Sequence, residues 1–222
     1  MDFDRYANSK MYSFFDILYK LMMINIIWFF MTIIGLGVLT IFPATIGLFV
    51  LVGTLIEQSD FPLLTSFFAV FKKEYFKSQK IFFVLLIVGL VLYFNIRIYY
   101  EVMGDLNLIY SIGFFLTLVL ILLYLFILSH IFMVYLYFPN FKTFQTLKYA
   151  FLFSLAYPIR SLFLVIINGT LIFVIFWVRY ITPISFLFMM SLIAFITIKV
   201  LKPKYAAILK EKKPLDVYDY IK

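Results

Sequence analysis

From Leu21 to Ile56 the chain carries no charged residue. As one helix rising ~1.5 Å per residue, this stretch would cover ~54 Å, well beyond the ~30 Å hydrocarbon core of a bilayer. A single straight span therefore does not use it all. Near its middle lie Gly35-Leu-Gly37 and then Phe42-Pro43-Ala44-Thr45. Proline lacks an N–H and clashes with the turn before it, so a bend or reversal is expected there. The stretch reads as a helical hairpin, or a re-entrant pair, with its tip at Phe42-Pro43. Gly35 and Gly37 permit close packing and reversal.

The remaining composition extends this reading to the whole chain. It is 65% hydrophobic and 14% charged, a balance that a water-soluble domain could keep only with large exposed apolar patches. The expected class is all-α: a polytopic transmembrane helical bundle of about six membrane segments, with amphipathic interfacial helices, forming a single domain over 1–222. The net charge of +8 would suggest nucleic acid in a soluble protein. Here Lys and Arg cluster beside apolar runs, where a lipid bilayer with anionic headgroups is the expected partner and nucleic acid is not. With no cysteine there is no disulfide framework, thiol nucleophile or cysteine-ligated metal, and no cofactor is called for. Asp2, Asp4 and Asp16 precede the first apolar run, against a cleavable signal peptide.

Residues 1–20 read as an interfacial helix with Asp16 and Lys20 as an i,i+4 pair. Residues 57–80 read as a separate amphipathic helix started by Ser59, Asp60 and Pro62. Leu64, Phe67, Phe68, Phe71 and Tyr75 form its apolar face, and Lys72, Lys73, Glu74 and Lys77 its polar surface. Four further spans are expected within 81–198: from Ile81, from Leu106 to Phe138, from Ile159 to Val178 and from Pro183 to Ile198. Glu101–Asp105 and Arg179–Thr182 would link them at one side. A basic tail follows over 199–222, with Pro203 and Pro214 limiting helix length. Phe61-Pro62 and Phe138-Pro139 open similar short segments, a weak internal echo.

Charge decides how the opening stretch crosses. If it crosses twice, all of the 19 Lys and Arg except Arg97 and Arg179 fall on one side. The positive-inside rule then places both termini in the cytoplasm. A single crossing would strand Arg5, Lys10 and Lys20 opposite the other basic loops.

The run Gly35-Leu-Gly-Val-Leu-Thr-Ile-Phe-Pro-Ala-Thr45, followed by Phe67-Phe-Ala-Val-Phe-Lys-Lys-Glu-Tyr-Phe-Lys-Ser78, resembles the YesL-like family of bacterial membrane proteins, a domain of unknown function. The similarity covers the first ~80 residues best, with size and span pattern agreeing beyond them. The resemblance implies a multispanning plasma-membrane protein, often associated with carbohydrate-uptake and glycan-degradation systems in Gram-positive bacteria. It implies no catalytic residues.

His130 is the sole histidine, which excludes HExxH and multi-histidine zinc sites, and no P-loop or GxSxG pattern occurs. An interhelical hydrogen bond is its expected role. Arg97 is expected to snorkel near a span end and to pair with Glu101. Asn168, beside Gly169 and Thr170 near the middle of a span, must find a helix contact or a polar cavity. Ionisable groups near the midplane, which coupled carriers use for binding and relay, are missing from the apolar runs. The expected function is non-enzymatic: an accessory or partner component of an oligosaccharide uptake system, with a sugar ABC transporter or another membrane protein as its expected partner. A channel or facilitator for a neutral solute is the alternative, with Asn168, His130 and threonines lining its path.

Overall fold

The computed structural model describes residues 10–57, 60–102, 108–177, 182–209 and 214–221. Among them the protein is all-α, in the order α1 (Lys10–Ile34), α2 (Ile41–Glu57), α3 (Leu63–Val102), α4 (Leu108–Tyr137), α5 (Thr143–Ala156), α6 (Pro158–Trp177), α7 (Thr182–Leu209) and the short α8 (Tyr218–Ile221). Three of these, α1, α3 and α4, are long and apolar enough to cross a membrane. A fourth crossing is available if α5 and α6, bent by 101° at Tyr157-Pro158, act as one broken span. The protein is membrane-embedded, and each of the six expected segments falls on a helix, with α2 shorter than a full span.

The reversal in the opening stretch lies earlier than the proline. Residues 35–40 form the turn, and Pro43 sits inside the first turn of α2. Helix α1 ends in a six-residue capping pattern. Gly37 N–H donates to Thr32 O at 2.8 Å and Leu36 N–H to Ile33 O at 2.9 Å, the two bonds of a Schellman cap. Leu36 holds the left-handed position with φ 54°, and Gly37 follows at φ 76°. The first N–H groups of any helix lack an intrahelical acceptor, so Pro43 forfeits no bond where it stands. That is why it starts α2 instead of breaking it.

Three other boundaries differ from expectation. The N-terminal interfacial segment is continuous with the first span from Lys10 onward, and residues before it lie outside the described set. The amphipathic segment and the next span are one 40-residue helix, because no glycine or proline interrupts Leu63 to Val88 and the lysines between are good helix formers. Its buried face is also turned from the expected one. Phe67, Val70, Glu74, Ser78, Ile81 and Leu85 face inward, whereas Leu64 and Phe68 are exposed. The basic tail is helical to Leu209 through Pro203, because Leu201 and Tyr205 are fully buried and hold that turn against the bundle. Ser59, Arg179, Met103–Asp105 and Lys210–Lys213 fall outside the described residues.

Helix α2 is the central post. Every residue from Phe42 to Leu55 is buried, packed by α1, α3, α7 and, over a shorter contact, α4. A span facing lipid would show an exposed stripe; this helix is covered by protein on all sides. Gly47 lets the Phe67 ring approach, since a Cβ there would lie 3.3 Å from its Cε2. Asn25 of α1 accepts from the Ser191 backbone N–H of α7 at 3.0 Å, satisfying a buried amide between helices.

Helices α3 and α4 run antiparallel and extend well past this core. From Leu86 to Glu101 no residue is buried, and from Leu108 to Leu125 only Thr117 is. The two are locked by knobs over glycines. Tyr124 lies over Gly89 and donates to Leu85 O at 3.0 Å, and Tyr99 lies over Gly113.

Candidate functional site

Two places gather the chemistry of the molecule: a cavity inside the bundle and a polar cluster at one end of it. The cavity, of about 300 Å³, lies among α2, α3, α4, α6 and α7. Phe42, Phe49, Phe82 and Phe132 form much of its wall, with Phe49 and Phe132 stacked at 4.6 Å between centroids. Its few polar groups are Thr45, Tyr124, Ser129, Asn168 and Thr197. Thr45 Oγ1 is already engaged: it accepts from Trp28 Nε1 at 3.0 Å and donates to Ile41 O at 2.6 Å. Tyr124 is engaged with the Leu85 carbonyl. Asn168 Oδ1 is buried and has no hydrogen-bond partner among the described residues. The cavity is thus a largely apolar chamber in which Asn168 Oδ1 is the buried polar atom left without a hydrogen-bond partner among the described residues.

Of the residues singled out from sequence, the fold brings Thr45 and Asn168 together here and scatters the rest. Pro43 and Ala44 are buried in the first turn of α2. Gly35 and Gly37 belong to the turn. Arg97 sits on the exposed outer half of α3, with Nε 3.2 Å from Glu101 Oε1 and Nη1 3.4 Å from the Tyr93 hydroxyl. His130 is buried in the C-terminal part of α4 and does not line the cavity. Its Nδ1 lies 3.2 Å from both Phe126 O and Ser129 Oγ, while its ring faces Tyr205 at 6.3 Å. No carboxylate is within bonding reach of it among the described residues, so it has no acid partner for proton relay.

The polar cluster lies where α2 ends and α3 begins. Lys20 of α1 bridges Asp16 at 2.8 Å and Asp60 at 3.0 Å, and Glu57 pairs with Lys202 of α7 at 2.8 Å. Glu74 is buried although the sequence pattern placed it on a solvated surface. Tyr135 donates to its Oε2, and Tyr220 donates to Oε1 at 3.0 Å. The chain after Leu209 is therefore not a free basic tail where it is described. Leu215 N–H donates to Leu136 O at 2.9 Å, Val217 N–H to Thr54 Oγ1 at 3.1 Å, and Tyr218 donates its hydroxyl to Asp60 O at 3.0 Å. Burial, with Glu74 beside it, pushes the Tyr220 hydroxyl above its ordinary pKa. It stays a proton donor to the carboxylate throughout the neutral range.

Sequence reasoning missed this latch. One signal was present: Glu74 is the sole acidic residue between Asp60 and Glu101, and a lone carboxylate among lysines and aromatics is a candidate for a fixed partner. Tyr220 and Val217 gave no comparable sign.

A family described as "Protein of unknown function, DUF624" matches residues 21–96, a region that holds the α1–α2 turn, α2 and Glu74 but not Asn168. The chain is also similar to "Uncharacterized protein YteU" of Bacillus subtilis (strain 168), 28% identical over 208 residues, covering 91% of this chain and 86% of the relative. No solved structure matches the chain.

Proposed function

We propose that this protein is a non-enzymatic, multi-pass component of the bacterial plasma membrane, with both termini cytoplasmic, acting as an accessory subunit of a carbohydrate uptake system. The observation that carries the reading is the outer half of the α3–α4 pair. Its exposed Ile87, Val91, Phe94, Ile98, Phe115 and Leu116 form a long apolar surface outside the bundle core, open alike to lipid tails and to the spans of a larger membrane protein, against which the glycine-packed α3–α4 pair projects as a free arm. The carbohydrate assignment rests on the YesL-like resemblance. The gathering of Lys20, Lys73, Lys77, Arg160 and Lys202 with the latch at one end supports a cytoplasmic side there. Photocrosslinkers placed at Ile98 and Phe115 in cells should trap a transporter component, and deletion should reduce oligosaccharide uptake. Failure of both rejects the reading.

A facilitator for a neutral solute is supported by one observation, the Asn168 carbonyl in the cavity, which has no hydrogen-bond partner among the described residues. The largely aromatic and aliphatic wall and the exclusion of His130 from it favour the accessory role. Reconstituted vesicles that show no solute flux, with or without Asn168→Leu, would remove the alternative.

A further inference from the structure

A second concavity, of about 670 Å³, lies apart from the cavity and beside the latch, between α3 and the turn leading into α5. Lys73, Lys77 and Lys80 project into it from α3, at i, i+4 and i+7 and hence from one face of the helix. Lys142 closes it from the far side, beside Asn140 and Thr143. No Asp or Glu lines it among the described residues. Glu74, next to Lys73 in sequence, is buried with its two oxygens taken by Tyr135 and Tyr220, and the Asp219 carboxylate accepts from Asp216 N–H. Four lysines thus line the groove, and no carboxylate joins them in its lining among the described residues.

The arrangement is built. Lys77 donates to Pro139 O and lies over the Tyr135 ring at 4.4 Å, which fixes it at the floor of the groove. Lys73 is held at the rim by Asp219 O at 3.2 Å and by the Tyr220 ring at 4.6 Å. Across the groove begins the 14-residue α5, whose first turn contains Thr143 and Phe144. First-turn N–H groups have no intrahelical acceptor and favour negative charge.

The surroundings select the source of that charge. Phe76 and Phe144 flank the groove, 79% and 78% exposed, and Ile81 opens the apolar run of α3 directly after Lys80. The groove therefore sits where a charged helix half gives way to an apolar one, at headgroup depth, with aromatic rings on which acyl chains can lie. We propose that this groove binds the phosphate of an anionic phospholipid headgroup, with Lys80 and Lys142 clamping it over the floor set by Lys77.

The test is native mass spectrometry of the full chain in mild detergent, titrated with phosphatidylglycerol, with phosphatidylcholine as zwitterionic comparator and inorganic phosphate as soluble anion. Expected are saturable phosphatidylglycerol binding preferred over phosphatidylcholine, and about 30-fold weaker binding for Lys80→Gln/Lys142→Gln, from the usual contribution of two lysines at an anionic surface. Lys80→Arg/Lys142→Arg should retain binding, which separates lost charge from lost fold. Lys72→Gln/Lys148→Gln, which removes the same charge outside the groove, should leave binding intact. The proposal is overturned if that control loses as much, if phosphatidylcholine binds equally, or if inorganic phosphate binds alone and displaces the lipid.

Discussion

Gly35→Ala should destabilise the protein through its nearest neighbour, Thr40. A Cβ built on Gly35 lies 2.6 Å from Thr40 Cβ and closer still to both branches of that side chain. Thr40 cannot simply rotate away, because its Oγ1 donates to Thr32 O at 3.1 Å across the turn. Overpacking of this kind costs about 1–3 kcal/mol, and losing the Thr40 bond adds about 1 kcal/mol. Removing a glycine from the unfolded chain returns about 0.4–1 kcal/mol. The net expectation is a loss of about 1–3 kcal/mol, read as a lower melting temperature of purified protein in detergent. Thr40→Gly removes the three nearest clashing atoms, and glycine is tolerated at a helix N-cap at a cost of a few tenths of a kcal/mol. In that background Gly35→Ala should be neutral or slightly stabilising, a coupling of about 1–3 kcal/mol in a double-mutant cycle. Pro43→Ala should cost less than Gly35→Ala, since no bond depends on the proline. Equal cost of Gly35→Ala in both backgrounds, or a larger effect at Pro43, would refute this account of the reversal.

Three other outcomes are expected. Tyr220 has a folded pKa above its unfolded value of about 10. Its contribution to tail docking is therefore complete below pH 10 and is lost as pH rises beyond that value toward the folded pKa. Limited proteolysis of the C-terminal segment should accelerate across that alkaline range, and Tyr220→Phe should raise cleavage already at neutral pH. Gly113→Ala puts a methyl 2.5 Å from Tyr99 Cε1 and should splay the α3–α4 pair, weakening a disulfide crosslink engineered between its outer halves; Tyr99→Ala should restore it. Asn168→Leu removes a buried acceptor that has no partner among the described residues and should raise the melting temperature, consistent with about 1–3 kcal/mol for an unsatisfied buried polar group.

The helical class and the need for an early reversal were legible because they follow from length, charge and the dimensions of a bilayer. The i,i+4 pairs Asp16–Lys20 and Arg97–Glu101 were legible for the same local reason. The position of the reversal was not, since proline marks both helix breaks and helix starts, and the choice depends on whether its N–H would have had an acceptor. Nor was the fate of Glu74. Its neighbours along the helix are lysines, but the hydroxyls that hold it come from Tyr135 and from Tyr220, far away in sequence. The cavity has the same character. Thr45 and Asn168 sit on separate helices, and only the packing of α2 against α4 and α7 brings α6 close enough for them to line one space.

The latch and the central helix form one mechanical unit. Thr54, on the last turns of α2, both donates back to Val50 O at 3.0 Å and accepts from Val217 N–H. The C-terminal segment therefore reads the position of α2 directly, while Tyr220 ties the same segment to Glu74 of α3 and Leu215 ties it to the end of α4. Helices that a bilayer alone would leave free to slide are thereby fixed in height at one end. Buried polar bonds of this type are worth about 1 kcal/mol each, but orphaning a buried carboxylate costs more than that. Glu74 is accordingly the position at which the arrangement is most sensitive. Its removal leaves two tyrosine hydroxyls without an acceptor, whereas removal of either tyrosine leaves the carboxylate one donor.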